Sequence, residues 1–284
     1  MSDDLSDRSV LLTGAAGGIG RELTKAFLGA GAAVMATDLD EVGLDALARQ
    51  LARHPQCGRL VTRVLDISDR AACEKAVKAA SDRFGSLEIL VNNAAMGMQL
   101  IREDCMTNLV GIEEVAPAQW DRFVAVNLSG AWYLTRAALP SMKARRWGRI
   151  INVTTSFFTM LRGRFHPYGP VKAALEAMSA GHAQEFAATG VTVNVVVPGG
   201  PADTAMVPAA SGYRREDLIP PSKMAAPMLW LCSHDADEVT GRRYVAAQWD
   251  RSAGIAAARA AAEAPIGWPD LAASPVWPGG RPAA

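Results

Sequence analysis

Short apolar runs alternate along this chain with segments whose apolar residues recur every three or four positions. The runs fall at 10–12, 32–37, 60–65, 87–91, 149–153, 191–197 and 243–247. After the first of them, Ile19, Leu23, Phe27 and Ala30 make the stripe expected of a helix. Further helices are predicted over 44–51, 71–83, 120–139, 168–188 and 224–232. Strand and helix in alternation predict an α/β fold, a mainly parallel sheet of seven strands with helices on both faces. The run VTVNVVV at 191–197 lacks polar alternation, as a strand buried on both sides should.

Two stretches break this rhythm. Residues 96–115 are long and irregular, and the chain beyond 250 is first rich in alanine, then in proline and glycine. No helix or strand is expected at that ending. Trp268 and Trp277 would be costly to leave in water, which favours a docked tail. The reading is one dinucleotide-binding catalytic domain over 1–250 and an extension over 251–284, packed over the substrate side or an interface.

Composition narrows the classes. The 284 residues carry 29 basic and 29 acidic side chains, so nothing favours a nucleic-acid partner. Cys57, Cys73, Cys105 and Cys232 are far apart and form no CxxC pair, which speaks against a metal site or a disulfide framework. The start, MSDDLSDRSVLLTG, has no basic segment leading into an apolar one, and no apolar run approaches a membrane span. A cytoplasmic protein without a membrane partner is expected.

Candidate chemistry sits at the ends of the predicted strands, where parallel sheets bind ligands. TGAAGGIG at 13–20 follows the first strand and opens the first helix. Glycines there let the backbone approach a pyrophosphate, and the helix N-terminus offers it N–H groups. The spacing is GxxxGxG, not the commoner GxGxxG. Asp38 ends the second strand, 18 residues after Gly20, where a carboxylate can accept both ribose hydroxyls. It would repel a 2′-phosphate, and no Arg or Lys lies within 32–43, so NAD(H) is favoured over NADP(H). Tyr168 and Lys172 are four residues apart at the start of a helix and share one face. A neighbouring ammonium should lower the phenol's pKa and make it an acid–base group.

The series as a whole resembles the short-chain dehydrogenases/reductases over residues 7–245. It runs TGAAGGIG (13–20), Asp38, LDI (65–67), NNAA (92–95), VN (126–127), INVTTS (151–156), YGPVK (168–172) and VVVPGG (195–200). The resemblance implies a Rossmann-type doubly wound fold and hydride transfer between NAD(H) and a secondary alcohol or ketone. It places Gly14, Gly18, Ile19 and Gly20 at the pyrophosphate and Asp38 at the ribose. Asp66 and Ile67 would flank the adenine, with Asn93, Ala94, Pro198, Gly199 and Thr204 along the cofactor. Tyr168 would be the acid/base, Lys172 would hold the nicotinamide ribose, and Asn127 would bend its helix and anchor a relay water.

The chain departs from the family where a serine is usual, thirteen residues before the tyrosine. Thr155 stands there, flanked by Thr154 and Ser156. Thr155 keeps a hydroxyl and is the expected donor, with Ser156 the alternative. Around it, Phe157, Phe158, Met160, Phe165, His166, Met96, Met98 and Met206 predict a mostly apolar substrate pocket. Alternative readings are an NADPH-dependent 3-oxoacyl-type reductase, against which Asp38 argues, and a non-catalytic dinucleotide sensor, against which Tyr168 and Lys172 argue. The resemblance also implies a homo-oligomer, tetramer or dimer, formed through the helices at 120–139 and 168–188.

Overall fold

A computed structural model of the chain describes residues 4–272. Its strands are β1 (Ser9–Thr13), β2 (Ala33–Asp38), β3 (Leu60–Val64), β4 (Ile89–Asn92), β5 (Gly148–Val153), β6 (Val191–Val197), β7 (Arg242–Val245) and β8 (Glu263–Pro265). They form one sheet in the order β3-β2-β1-β4-β5-β6-β7-β8. The seven predicted runs are the first seven strands, all paired in parallel. Chain order reverses between β1 and β4, which opens a crevice at the carboxyl ends of the strands.

The α-helices are α1 (Gly18–Gly29), α2 (Glu41–Leu51), α3 (Arg70–Phe84), α4 (Pro117–Val124), α5 (Gly130–Arg145), α6 (Phe157–Leu161), α7 (Tyr168–Glu185), α8 (Ala225–Cys232), α9 (Ile255–Ala262) and α10 (Pro269–Ala272). Strand side chains alternate between two cores. Val10, Leu12, Ile89, Val91 and Ile151 pack with α1, α2 and α8. Leu11, Leu90, Ile150 and Val193 pack on the other face with α3 and α5. Burial on both faces explains why these strands read as continuous apolar runs.

Several features differ from the sequence expectation. The sheet has eight strands, not seven, because β8 pairs antiparallel with β7. The alanine-rich segment before it forms α9, and Ala258 and Ala262 pack beside Trp230, Tyr244 and Trp249. The local sequence EAP carries no strand signal; β8 forms because β7 presents an open edge, and Glu263 accepts from the Tyr244 hydroxyl at 2.8 Å. The predicted helix at 120–139 is interrupted by a π-helical turn at Ala125–Ser129, which contains Asn127. The short α6, not predicted, starts where the Ser156 hydroxyl accepts from the Thr159 N–H at 3.1 Å. The ending, where no helix or strand was expected, also forms the short α10 (Pro269–Ala272), and Trp277 lies outside the described residues.

Residues 96–115 are irregular, as expected, yet ordered by a small core of their own. Met98, Cys105, Val110 and Phe165 are buried together, with Met106 and Tyr168 against them. The insert is thereby fastened to the start of α7.

Candidate active site

A cleft of about 770 Å³ opens at the carboxyl ends of β1, β2, β4, β5 and β6. At one end lies the turn between β1 and α1. Gly14 adopts φ +70°, and a side-chain carbon there would stand 2.8 Å from the Ala94 backbone. At Gly20 it would stand 2.0 Å from the Gly14 carbonyl. Only glycine permits that approach. The N-terminus of α1 has no side-chain cap and no acid in its first turn, so its N–H groups face the cleft without an internal anion. Asn93 holds the turn from beneath, donating to the Thr13 and Gly14 carbonyls at 2.9 and 3.1 Å.

Asp38 lines the same end at the tip of β2 and accepts from the Ala16 N–H at 2.9 Å. Asp66 accepts from the Ser68 hydroxyl at 2.6 Å and pairs with Arg122 at 3.0 Å. Burial pushes its pKa up, but the Ser68 and Arg122 contacts outweigh this and hold it below the usual carboxylate value. Arg122 lines the cleft too and was not anticipated. It is 56 residues from Asp66, and no local pattern marks it.

Tyr168, Lys172 and Thr155 all line the cleft. Tyr168 opens α7, and Lys172 follows one turn later on the same face, buried. The Lys172 ammonium donates to the Val153 carbonyl at 2.7 Å. Burial lowers its pKa to about 8. Tyr168 does not show the lowered pKa expected from that neighbour. Burial raises it to about 12, and a hydrogen bond with Thr155 opposes this only in part.

Among the three adjacent hydroxyls, Thr155 is the one placed to act on the Tyr168 phenol. Thr154 instead donates to Glu176 at 2.7 Å, and Ser156 is engaged in capping α6. The one-residue alternation of the strand end separates them. Gly18, Ile19, Ile67, Ala94, Pro198, Gly199 and Thr204 also line the cleft. Asn127 does not. It is buried behind the wall, accepting from the Met96 N–H at 2.7 Å and donating to the Met96 carbonyl at 2.9 Å.

The far end of the cleft is apolar. Met96, Met98, Phe158, Phe165 and Met206 line it, as predicted, whereas Phe157, Met160 and His166 do not. Phe157 faces the tail, with its ring 5.5 Å from that of Trp268. Behind it lies a buried pair that the sequence did not reveal. Arg243 bonds to Glu176 at 2.9 Å and to the Thr155 carbonyl at 2.7 Å, with its guanidinium 4.2 Å from the Phe157 ring centre. Glu176 also accepts from the Gly267 N–H at 3.3 Å. The tail residues thus back the reaction centre, and among the described residues none of them lines the cleft.

Comparison with known proteins agrees with this geometry. A profile of the short chain dehydrogenase family matches residues 8–213. The D-beta-hydroxybutyrate dehydrogenase of Cupriavidus necator is 34% identical over 195 residues, which cover 69% of this chain and 71% of that protein. The 3beta-hydroxysteroid dehydrogenase 2 of Eggerthella lenta is 31% identical over 250 residues, covering 84% and 92%. A crystal structure of a 3-ketoacyl-(acyl-carrier-protein) reductase from Brucella melitensis, complexed with NADH, aligns with a TM-score of 0.71 at 27% identity, over 82% of this chain and 93% of that one.

The fold and the family match place the chain among the oxidoreductases that use a nicotinamide dinucleotide. The chain belongs to the short-chain dehydrogenase/reductase family. No helix of the described residues is long and apolar enough to cross a membrane.

Proposed function

We propose that the protein interconverts a secondary alcohol and a ketone, with NAD(H) as cofactor. One observation carries the reading: a half-buried Tyr168 whose phenol Thr155 is placed to act on, with Lys172 on its helix face, in the cleft that also holds the Gly14–Gly20 turn and Asp38. The uncapped start of α1 and the glycine cradle fit a dinucleotide pyrophosphate. The relatives named above, a hydroxybutyrate and a hydroxysteroid dehydrogenase, support a secondary alcohol as the reacting group.

Gly14, Gly18, Ile19 and Gly20 hold the pyrophosphate, and Asp38 accepts the adenosine ribose hydroxyls. Asp66 and Ile67 flank the base, while Asn93, Ala94, Pro198, Gly199 and Thr204 line the path to the nicotinamide. A bound nicotinamide supplies the hydride acceptor or donor. Thr155 donates a hydrogen bond to the substrate oxygen and polarises the carbonyl. The phenol of Tyr168 keeps its proton at neutral pH and can pass it to that oxygen. Lys172 is charged below about pH 8 and places a cation beside the ribose and the phenol. Asn127 holds the Met96 backbone and with it the substrate wall, and its π-turn is the proposed anchor of the relay.

Asp38 favours NADH, because a 2′-phosphate there would meet a carboxylate. The subunits associate through the outer faces of α5 and α7, in a tetramer or dimer. Trp132 on α5 is 42% exposed, and Ala173, Ala174 and Ala177 on α7 allow close approach, whereas Ala180 packs against Val195, Val197 and Ile266 and Ala183 packs inward. Sedimentation velocity tests that assembly. The activity is tested by following NADH absorbance with a panel of ketones. Turnover with NADH that exceeds turnover with NADPH, and that falls about 10²- to 10⁴-fold in Tyr168→Phe, supports the reading. Equal rates for Tyr168→Phe and the parent overturn it.

A further inference from the structure

The apolar end of the cleft contains a charged side chain, Arg162, whose charge no group among the described residues answers. Arg162, just after α6, lines the cleft and is partly buried. The other cations lining the cleft are committed: Arg122 to Asp66, and Lys172 to the Val153 carbonyl. The neighbouring Arg164 leans on Glu114 at 3.8 Å, and Arg102 pairs with the same carboxylate. Among the described residues Arg162 has no such partner. It touches rings instead, with its guanidinium 5.2 Å from the Phe165 ring centre and 5.8 Å from that of Phe158. Aromatic faces hold a guanidinium in place without neutralising it.

The carboxylates that line the cleft, Asp38 and Asp66, both stand at the nucleotide end. The substrate end therefore offers a positive centre in an apolar wall. It has a further polar group unsatisfied inside the chain: the carboxamide oxygen of Gln99, which lines the same end, is buried without a hydrogen-bond partner. A pocket that is mostly apolar, with a few polar groups converging on it, orients its ligand through those groups. A planar guanidinium matches a carboxylate with two parallel hydrogen bonds.

We infer that Arg162 is the anchor for a substrate carboxylate, and that the substrate is a hydrophobic hydroxy or oxo acid. Its carboxylate lies at Arg162, its apolar body against Met98, Phe165 and Met206, and its reacting oxygen at Thr155 and Tyr168. This rests on the alcohol–ketone reading above, so the test measures binding and not turnover.

The protein saturated with NADH is titrated calorimetrically with hexanoate, octanoate and 3-phenylpropionate, each beside its neutral amide. Each acid of a binding pair is expected to bind about 10- to 100-fold tighter than its amide, the range for a hydrogen-bonded charged contact. Arg162→Met should erase that difference and leave the amide affinity within about twofold, and Arg162→Lys should restore part of it. A melting temperature equal to the parent's confirms that each variant is folded, and Arg162→Gln replaces Arg162→Met where it is not. Tyr168→Phe should keep the acid preference, which separates a failure of this inference from a failure of the reaction assignment. Amides that bind as well as acids, acids that fail to bind, or a preference that survives Arg162→Met, each overturn the inference. So does inorganic phosphate competing with octanoate at equal affinity, which would make the site a general anion site.

Discussion

The two ends of the cleft are built on different principles. The nucleotide end is made of backbone and short polar side chains at strand ends, and its polar groups answer one another. Asp38 takes the Ala16 N–H, Asn93 takes the Thr13 and Gly14 carbonyls, and Asp66 takes Ser68 and Arg122. The substrate end is made of irregular segments, the insert at 96–115 and the stretches around α6 and Met206, with methionines and phenylalanines on the wall. The sheet dictates the first and leaves the second free. A ligand common to many reactions can be held by the fold, whereas a particular substrate needs side chains that vary without disturbing strands.

The comparison breaks most sharply at the support behind the substrate end. Glu176→Ala leaves the Arg243 guanidinium, only 4% exposed, without its carboxylate. A loss of about 3–5 kcal/mol is expected from an uncompensated buried charge. Urea unfolding measures it, and Glu176→Met combined with Arg243→Leu should recover most of it. A small loss in the single variant would mean that water reaches Arg243.

Next in size is the pH response where the two ends meet. Lys172 ionises near 8 in the folded chain against an ordinary 10.5. Between those values the unfolded chain binds the extra proton, so stability should rise with pH from about 8. Tyr168 acts in the opposite sense above its ordinary 10.0, because the folded phenol keeps its proton to about 12. Thermal melts should therefore gain through pH 8 to 10 and flatten above, and Lys172→Met should remove the gain.

The nucleotide end gives smaller effects. Asp38→Ala should shift the ratio of NADH to NADPH affinity by about tenfold toward NADPH, since a like-charge contact near the surface is worth ~1–4 kcal/mol. Fluorescence titration with both nucleotides reads the ratio, and an unchanged ratio would remove Asp38 from the ribose. Smallest is Arg122→Met. The pair with Asp66 is partly exposed, at 42% and 34%, and should contribute less than ~1 kcal/mol to stability. Chemical denaturation of the variant checks it.

What could be read in the chain follows the same division. Gly14, Gly20, Asp38, Tyr168 and Lys172 were legible because each sits at a fixed offset from a strand end, and strand ends show as changes in apolar period. Thr155 was the expected donor from the family spacing alone, and the structure adds the reason Ser156 stands aside: its hydroxyl caps the start of α6. Arg122 and Asp66, 56 residues apart, and Arg243 and Glu176, 67 apart, have no local signature. Nor has β8, whose three residues pair only because β7 is an open edge. The direction of the Tyr168 shift was misjudged for the same reason. Spacing puts an ammonium nearby, but burial depends on everything packed around the phenol.

Local periodicity and turn chemistry are properties of contiguous residues, so the alternating α/β plan, the glycine turn and the Tyr168–Lys172 face are written in the order of amino acids. Pairings between distant segments depend on which surfaces come into contact once the chain has closed. The Glu176–Arg243 pair, the added strand and the uncompensated Arg162 belong to that second kind. They exist because folding removes water from some charged groups and gives them partners, while setting the Arg162 guanidinium between two aromatic rings at the edge of the cleft.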